Sequence, residues 1–373
     1  MSEQSKSQAY SSLNDRRAIA KMSTAALLNN LHVMQKKSPN AQTIAMVKAN
    51  GYGHGIRSIS QRLDGRVFAL GVASIDEAIA LRAHGIKSKI ILMEGVICQQ
   101  DFAIVDELAL DLVIHDAEHL LWMAEYKPIL NDVWIKVDIG MGRLGYFVDA
   151  LPSVFERLKQ MRASIRGTIR LMGHLSSADQ PKKAENLQQV ELFSDIVKHY
   201  RLPASLCNSA AVINMPEHHY DFVRPGFSLY GESPVKTVSA EELGLRPVMT
   251  VCSRIIAIKE YPAGHGIGYG HDYHCAKPMR IGVVSFGYGD GYPRSVRSGA
   301  PVLVDGVMCP LVGRISMDMM TVDLSGHDTV RVGSNVVLWG EGLPISILER
   351  HSGISRYELF TSVQNRVKFI WND

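Results

Sequence analysis

From Ala18 to about Arg224, short apolar runs of β-type residues alternate with segments whose apolar positions recur at helical spacing. The runs are Thr43 to Val47, Val67 to Val72, Lys89 to Met93, Leu112 to His115, Val133 to Val137, Ile169 to Met172, Ala204 to Cys207 and Phe222 to Arg224. Between them, Ser23 precedes Leu27, Leu28, Leu31 and Met34 on one helical face, and Ser74 with Glu77 reads as a capping box whose helix ends at Gly85. Asp116 is a candidate cap, and Glu185 to Tyr200 is a further amphipathic segment. Eight strands alternating with helices predict a (β/α)8 barrel over residues 18–244, with an open doubly wound sheet as the alternative. Past Leu245 the texture changes: Val248 to Ile258, Arg280 to Phe286, Ala300 to Val304 and Asn335 to Leu338 are β-type runs separated by glycine turns. Residues 245–373 therefore read as a C-terminal, mostly β domain. The polar residues 1–17 read as a flexible tail.

Composition narrows the class of partner. A chain of 373 residues, 46% hydrophobic and 21% charged with a net charge of +3, suits two domains and lacks the charge excess of a nucleic-acid binder. The five cysteines form no Cys-x-x-Cys pair, which argues against a disulfide framework and a zinc site; no metal is expected, and a reducing compartment is. The N-terminus lacks the apolar core of a signal peptide and no run is long enough to span a bilayer, so a cytoplasmic protein without membrane contact, acting on a small molecule, is the expectation.

Reactive groups of such barrels lie on the loops that follow the strands. Strand one ends in VKANGYGHG with Lys48, and strand five carries Lys136 into DIGMGRLG with Arg143. Strand six leads to GHLSSAD with His174, strand seven to NSA with Ser209, and strand eight to RPG with Arg224 and Gly226. Strands two to four end in less distinctive residues. Each residue alone has a plain structural reading: a solvated lysine, a capping serine, an ion-paired arginine, a satisfied histidine. Together they differ. Barrels often bind phosphate after strands seven and eight, where Ser209 and the Gly226 amide fall, and a shielded lysine opposite can form a Schiff base with an aldehyde. Arginine is one of the residue types expected opposite a pyridine nitrogen.

In order along the chain, VKANGYGHG, KVDIGMGRLG, GHLSSAD, NSAA, VRPG with LYG, GYG, GYGDGYPR and VGRISMD resemble alanine racemase, and the likeness runs from about Ala18 to Val367. The resemblance implies an isomerase that interconverts L- and D-alanine by a two-base mechanism on pyridoxal 5'-phosphate and supplies D-alanine for peptidoglycan. It also implies a homodimer in which the β domain of one subunit completes the barrel site of the other. Lys48 is then the Schiff-base lysine and one catalytic base, and Tyr269 the opposing base. Tyr52, Ser209, Gly226 and Phe227 hold the phosphate, Arg224 faces the ring nitrogen, and His174 lies near the ring. Arg143, Met317 and Asp318 belong to the substrate end, and Lys136 matches a lysine that some members carry as a carbamate.

There are departures. Ser316 stands where many relatives have cysteine, Ser205 where some have histidine, and Asn365 where the family often has a tyrosine at the entrance, which bears on substrate breadth. Three competing readings stay open: a pyridoxal-phosphate decarboxylase of similar architecture, a non-enzymatic cofactor carrier, and a racemase of serine or longer amino acids.

Overall fold

The computed structural model describes residues 18–372, so the tail expected over residues 1–17 lies outside it. The chain opens with β1 (Ile19–Ser23), which runs directly into α1 (Thr24–Lys37). Leu27, Leu31 and Met34 of α1 are buried at the expected spacing. Next come β2 (Gln42–Met46), β3 (Ala69–Val72), β4 (Lys89–Leu92), β5 (Asp111–Ile114), β6 (Val133–Lys136), β7 (Ile169–Met172), β8 (Ala204–Asn208) and β9 (Phe222–Arg224). These eight strands are parallel neighbours in sequence order and close into a barrel, with Gln42 of β2 opposite Phe222 of β9. Each coincides with a predicted run to within two residues. The barrel, not the open sheet, is the fold.

Two compact units result. One holds residues 26–246; the other combines the described residues up to Ala25 with those from Pro247 on. The boundary expected at Ala18 is therefore displaced. β1 lies in the second unit, antiparallel to β10 (Met249–Tyr261) and parallel to the last strand. Nothing in Ile19 to Ser23 distinguishes a barrel strand from this one, because alternation specifies a half-buried strand and not its partner.

That second unit continues with β11 (Gly266–Ile267), β12 (Tyr273–His274), β13 (Met279–Val284), β14 (Pro301–Val304), β15 (Val307–Val312), β16 (Met320–Asp323), β17 (Asn335–Trp339) and β18 (Lys368–Asn372). Its main sheet runs β13, β16, β15, β14, β17, β10, β1, β18, and the far half of the long β10 returns to pair with β13. The mostly β domain is as expected.

Of the helix ends, Asp116 caps as predicted, accepting from the Glu118 amide at 3.0 Å. Ser74 also caps, but the predicted box is opened: the Glu77 carboxylate turns to the amides of Ala73 and Asn50. No described helix is long and apolar enough to cross a membrane.

Successive residues of a strand point to opposite faces, so a barrel interior is built from every second residue. Ile44, Ile91, Val113, Trp134, Met172 and Phe222 form its apolar middle. Counting two residues toward the strand starts reaches Lys89, Asp111, Asp132 and Arg170; counting two toward the ends from Trp134 and Phe222 reaches Lys136 and Arg224. The floor is a mixed-charge network. Asp132 accepts from Lys89 and lies 2.5 Å from Arg170 Nη1, while Asp111 is 3.7 Å from Lys89 Nζ. Arg170 also spreads its guanidinium over Phe68, Trp134 and Phe222, 5.3–5.5 Å from the ring centres.

The two floor aspartates titrate in opposite directions. Burial first, and then the Asp132 charge, push Asp111 up to about 7. Burial opposes ionisation of Asp132 as well, but hydrogen bonds from Lys89 and the Thr168 amide, with the Arg170 charge, outweigh it and lower its pKa.

The sign of the linkage follows. Folded Asp111 binds its proton more tightly than the unfolded chain does, so its contribution is complete below the reference value of 3.8 and is lost as pH rises through about 7. Asp132 contributes above its reference value and loses that contribution as pH falls. Asp111→Asn is expected to cost little at pH 5 and to gain about 1–3 kcal/mol relative to wild type at pH 8. Asp132→Asn is expected to cost about 3 kcal/mol at both, because Lys89 and Arg170 lose their common acceptor. Urea unfolding at the two pH values checks this; equal pH dependence of wild type and Asp111→Asn would refute it.

Candidate active site

The C-terminal mouth of the barrel gathers the residues expected there. Lys48 follows β2 at the start of an unusual loop: Ala49, Asn50, Gly51 and Tyr52 all take left-handed backbone angles, with φ from 50° to 63°. Three of these are not glycine, at a cost of about 1–2 kcal/mol each. The loop is held against that cost. The Asn50 side chain accepts from the Ile56 amide at 2.9 Å, the Asn50 amide donates to Glu77 at 3.3 Å, and buried His54 bonds the Tyr52 carbonyl at 2.8 Å. Tyr230 packs its ring on Tyr52 at 4.8 Å and on His54 at 4.6 Å, and donates to the Met46 carbonyl at 2.9 Å. Burial lowers His54 to about 4, so it is a neutral prop. The outcome is a Tyr52 hydroxyl carried to the far wall. A Cβ on Gly226 would sit 2.4 Å from it, so any larger residue there would have to displace the Tyr52 hydroxyl.

At that wall, Ser209 opens the short helix after β8, and its Oγ accepts from the amides of Gly226 at 2.9 Å and Ser228 at 3.3 Å. Asn208 caps the same helix through the amides of Ala210 and Ala211. The Tyr52 and Ser209 hydroxyls therefore flank Gly226, with the amides of Gly226 and Ser228 turned to the serine oxygen; hydroxyls and amides of this kind are the donor types that suit a phosphate. Phe227 is buried beside it.

Arg224, two residues beyond Phe222 on the inner face, is 3% exposed. Its guanidinium donates to Ser205 Oγ at 2.5 Å, to the carbonyls of Gly173 at 2.6 Å and Leu206 at 3.1 Å, and to His174 Nδ1 at 3.3 Å. Every one of these partners is uncharged. Burial lowers Arg224 to about 10, which leaves it a cation at neutral pH. His174 is held well below the usual histidine range by burial and then by Lys136, Arg224, Arg143 and Lys48.

Lys136, 9% exposed, is likewise driven far below the usual lysine range by burial, then by Arg224 and Arg143, with Asp138 opposing. Its Nζ reaches the Gly173 carbonyl at 3.4 Å. Asp138 is meanwhile occupied with the amides of Gly140, Met141 and Gly142, which shape the exposed loop carrying Arg143.

Some of this was missed from sequence. Glu94, after β4, lies 4.0 Å from Lys48 Nζ, although the end of that strand had looked undistinguished. Tyr230 and Ser228 adjoin quoted motifs, but their roles depend on contacts across the barrel.

The remaining predicted residues, Tyr269, Met317 and Asp318, belong to the second unit. Tyr269 is 70% exposed and Met317 54%. The GYGDGYPR and VGRISMD motifs are stitched together: the amides of Tyr288 and Gly289 donate to the carbonyls of Ser316 and Met317, at 3.1 and 2.8 Å. Arg366, next to Asn365, pairs with Asp318 at 2.7 Å and Asp290 at 2.6 Å.

Residues 22–234 match the alanine racemase N-terminal domain, and residues 248–371 the alanine racemase C-terminal domain. An alanine racemase of Legionella pneumophila is 41% identical over 346 residues, covering 92% of this chain and 97% of that one. Crystal structures of biosynthetic alanine racemase from Pseudomonas aeruginosa and of alanine racemase from Acinetobacter baumannii superpose with TM-scores of 0.90 and 0.89. At 38% and 34% identity, each comparison covers 96% of this chain and 100% of the other. Alanine racemase from Bartonella henselae, crystallised with covalently bound pyridoxal phosphate, shares the fold at 24% identity and a TM-score of 0.84, over 95% of this chain and 99% of that one. With both domain models matched in order over most of its length, the chain belongs to the alanine racemase family of isomerases.

Proposed function

We propose that this protein interconverts L- and D-alanine with pyridoxal 5'-phosphate, as a cytoplasmic homodimer whose D-alanine is destined for peptidoglycan. The observation that carries this reading is Arg224, a buried cation with only neutral partners, in a site whose other end offers phosphate-type donors and a lysine.

Lys48 would hold the cofactor covalently through its aldehyde, and Tyr52, Ser209 and the amides of Gly226 and Phe227 would hold its phosphate. Bound there, the cofactor supplies an electron-withdrawing conjugated ring that acidifies the substrate's α-hydrogen. Arg224 opposite the ring nitrogen disfavours protonation of that atom, which limits charge build-up and suppresses transamination; a carboxylate there would do the reverse. Neutral His174 flanks the ring without adding charge. Arg143 attracts the substrate carboxylate. Lys136 as a neutral amine is the form that adds carbon dioxide, and its carbamate would place an anion beside Arg143. Lys48 Nζ and Tyr269 Oη, on opposite faces of the α-carbon, would remove and return its proton. Tyr269, Met317 and Asp318 come from the partner subunit in this reading.

Borohydride reduction should fix the cofactor to Lys48; a reduced adduct mapped to Lys136 or any other lysine would overturn the assignment. Arg224→Glu should lower racemisation about 100-fold and raise the transamination side reaction, followed as pyruvate. Wild-type behaviour of that variant would remove the ring-nitrogen role.

Homodimers of Lys48→Ala and of Tyr269→Ala should each be inactive, whereas their equimolar mixture should recover about one quarter of wild-type activity. Half of randomly paired dimers are mixed, and each mixed dimer has one intact site. Mixed dimers verified by mass but as inactive as their parents would exclude a shared site.

A further inference from the structure

Tyr269 sits at the tip of a hairpin too small to hold it. β11 and β12 pair Gly266 with His274 and Ile267 with Tyr273, and the bonds continue from Gly264 and His265 to Cys275 at the base, which anchors the foot of the hairpin and leaves its tip beyond Ile267 without strand pairing. On either side of Tyr269 the backbone needs glycine: Gly268 has φ 71° and ψ −164°, and Gly270 has φ 73°. The phenol is mostly exposed, so side-chain packing does not fix it. Something outside the hairpin must.

Arg314, which follows β15 in the VGRISMD motif, touches the turn on both sides. Its backbone N and O each lie 3.7 Å from the Cβ position of Gly268, and its guanidinium Cζ lies 3.5 Å from that of Gly270. Arg314 Nε donates to Asp272 Oδ2, closing the loop from β15 onto the residue where the hairpin turns back into β12. Asp272 Oδ1 lies 3.1 Å from the same Gly270 position. One ion pair thus brackets Gly268 to Asp272.

We propose that Arg314 and Asp272 form a positioning pair that sets the direction of the Tyr269 hydroxyl. The inference rests on the reading of Tyr269 as a proton-transferring group. Both side chains are about half exposed, 51% and 46%, so the pair contributes little to global stability. Its effect is local, because a turn built on two glycines has many backbone alternatives and the clamp removes them.

The test uses the cofactor-loaded enzyme in deuterium oxide and follows loss of the α-hydrogen from each alanine enantiomer separately. In Arg314→Ala and Asp272→Ala, exchange from the enantiomer whose α-hydrogen faces Tyr269 should fall about 10- to 100-fold. Exchange from the enantiomer facing Lys48 should stay within about twofold, as should KM, and the double variant should be no worse than either single one. Arg314→Lys should recover part of the loss. In protein without cofactor, amide hydrogen exchange over Gly268 to Asp272 should quicken while the Tm is unchanged. Equal losses from both enantiomers, multiplying effects in the double variant, or unaltered amide exchange would each overturn the proposal. Tyr269→Phe is the control. If it keeps exchange from both enantiomers, the reading of Tyr269 fails and the positioning pair with it; if it loses one while Arg314→Ala loses neither, only the pair is refuted.

Discussion

A closed barrel of eight short parallel strands sends every second side chain inward and leaves those side chains almost no water. Anything polar placed there must be paired or neutral. The floor meets the demand by pairing, with Asp132 shared between Lys89 and Arg170 and Asp111 tending toward its protonated form. The mouth meets it differently. Arg224 keeps its charge and is satisfied by carbonyls, a hydroxyl and an imidazole, while burial and the neighbouring cations shift Lys136 and His174 toward their neutral forms. The same strand alternation, two residues on either side of the Trp134 and Phe222 layer, produces both arrangements.

That contrast sets the mouth apart from the floor. The floor carries both signs and balances itself. At the mouth the charges of Lys48, Arg143 and Arg224 bear on Lys136 and His174, while Asp138 is committed to backbone amides and Glu94 pairs with Lys48 at 4.0 Å. A cluster of cations of this kind favours ligands with several negative charges. A phosphate-bearing aldehyde and an amino-acid carboxylate meet that description together. The left-handed run from Ala49 to Tyr52 is the local strain that accompanies it, held in place by Asn50, His54 and Tyr230.

The second unit contributes chemistry of another kind. Its candidate residues lie on exposed turns rather than strand faces, so their geometry depends on cross-links between loops. Arg366 joins Asp318 to Asp290, backbone bonds join the Tyr288 to Gly289 turn to Ser316 and Met317, and Arg314 reaches Asp272. Asn365 directly precedes the arginine that ties two of these turns together.

The amino-acid sequence alone determined the eight barrel strands, the change to a β domain after Leu245, and the loops on which Lys48, Lys136, Arg143, His174, Ser209, Arg224 and Gly226 lie, because apolar periodicity and strand ends are local properties. It also carried the motifs by which the family is legible. What it left undecided required knowing which segments meet. β1 reads as a strand in either setting, and only pairing with β10 and β18 assigns it to the β unit. Glu77 looks like half of a capping box until Ala73 and Asn50 offer better donors. The approach of Glu94 to Lys48, the Tyr230 prop beneath Tyr52 and the Arg314 clamp on the Tyr269 hairpin join residues far apart in the chain. The pKa shifts of Lys136, His174 and Asp111 likewise follow from burial and neighbouring charge, which are set only when the barrel closes.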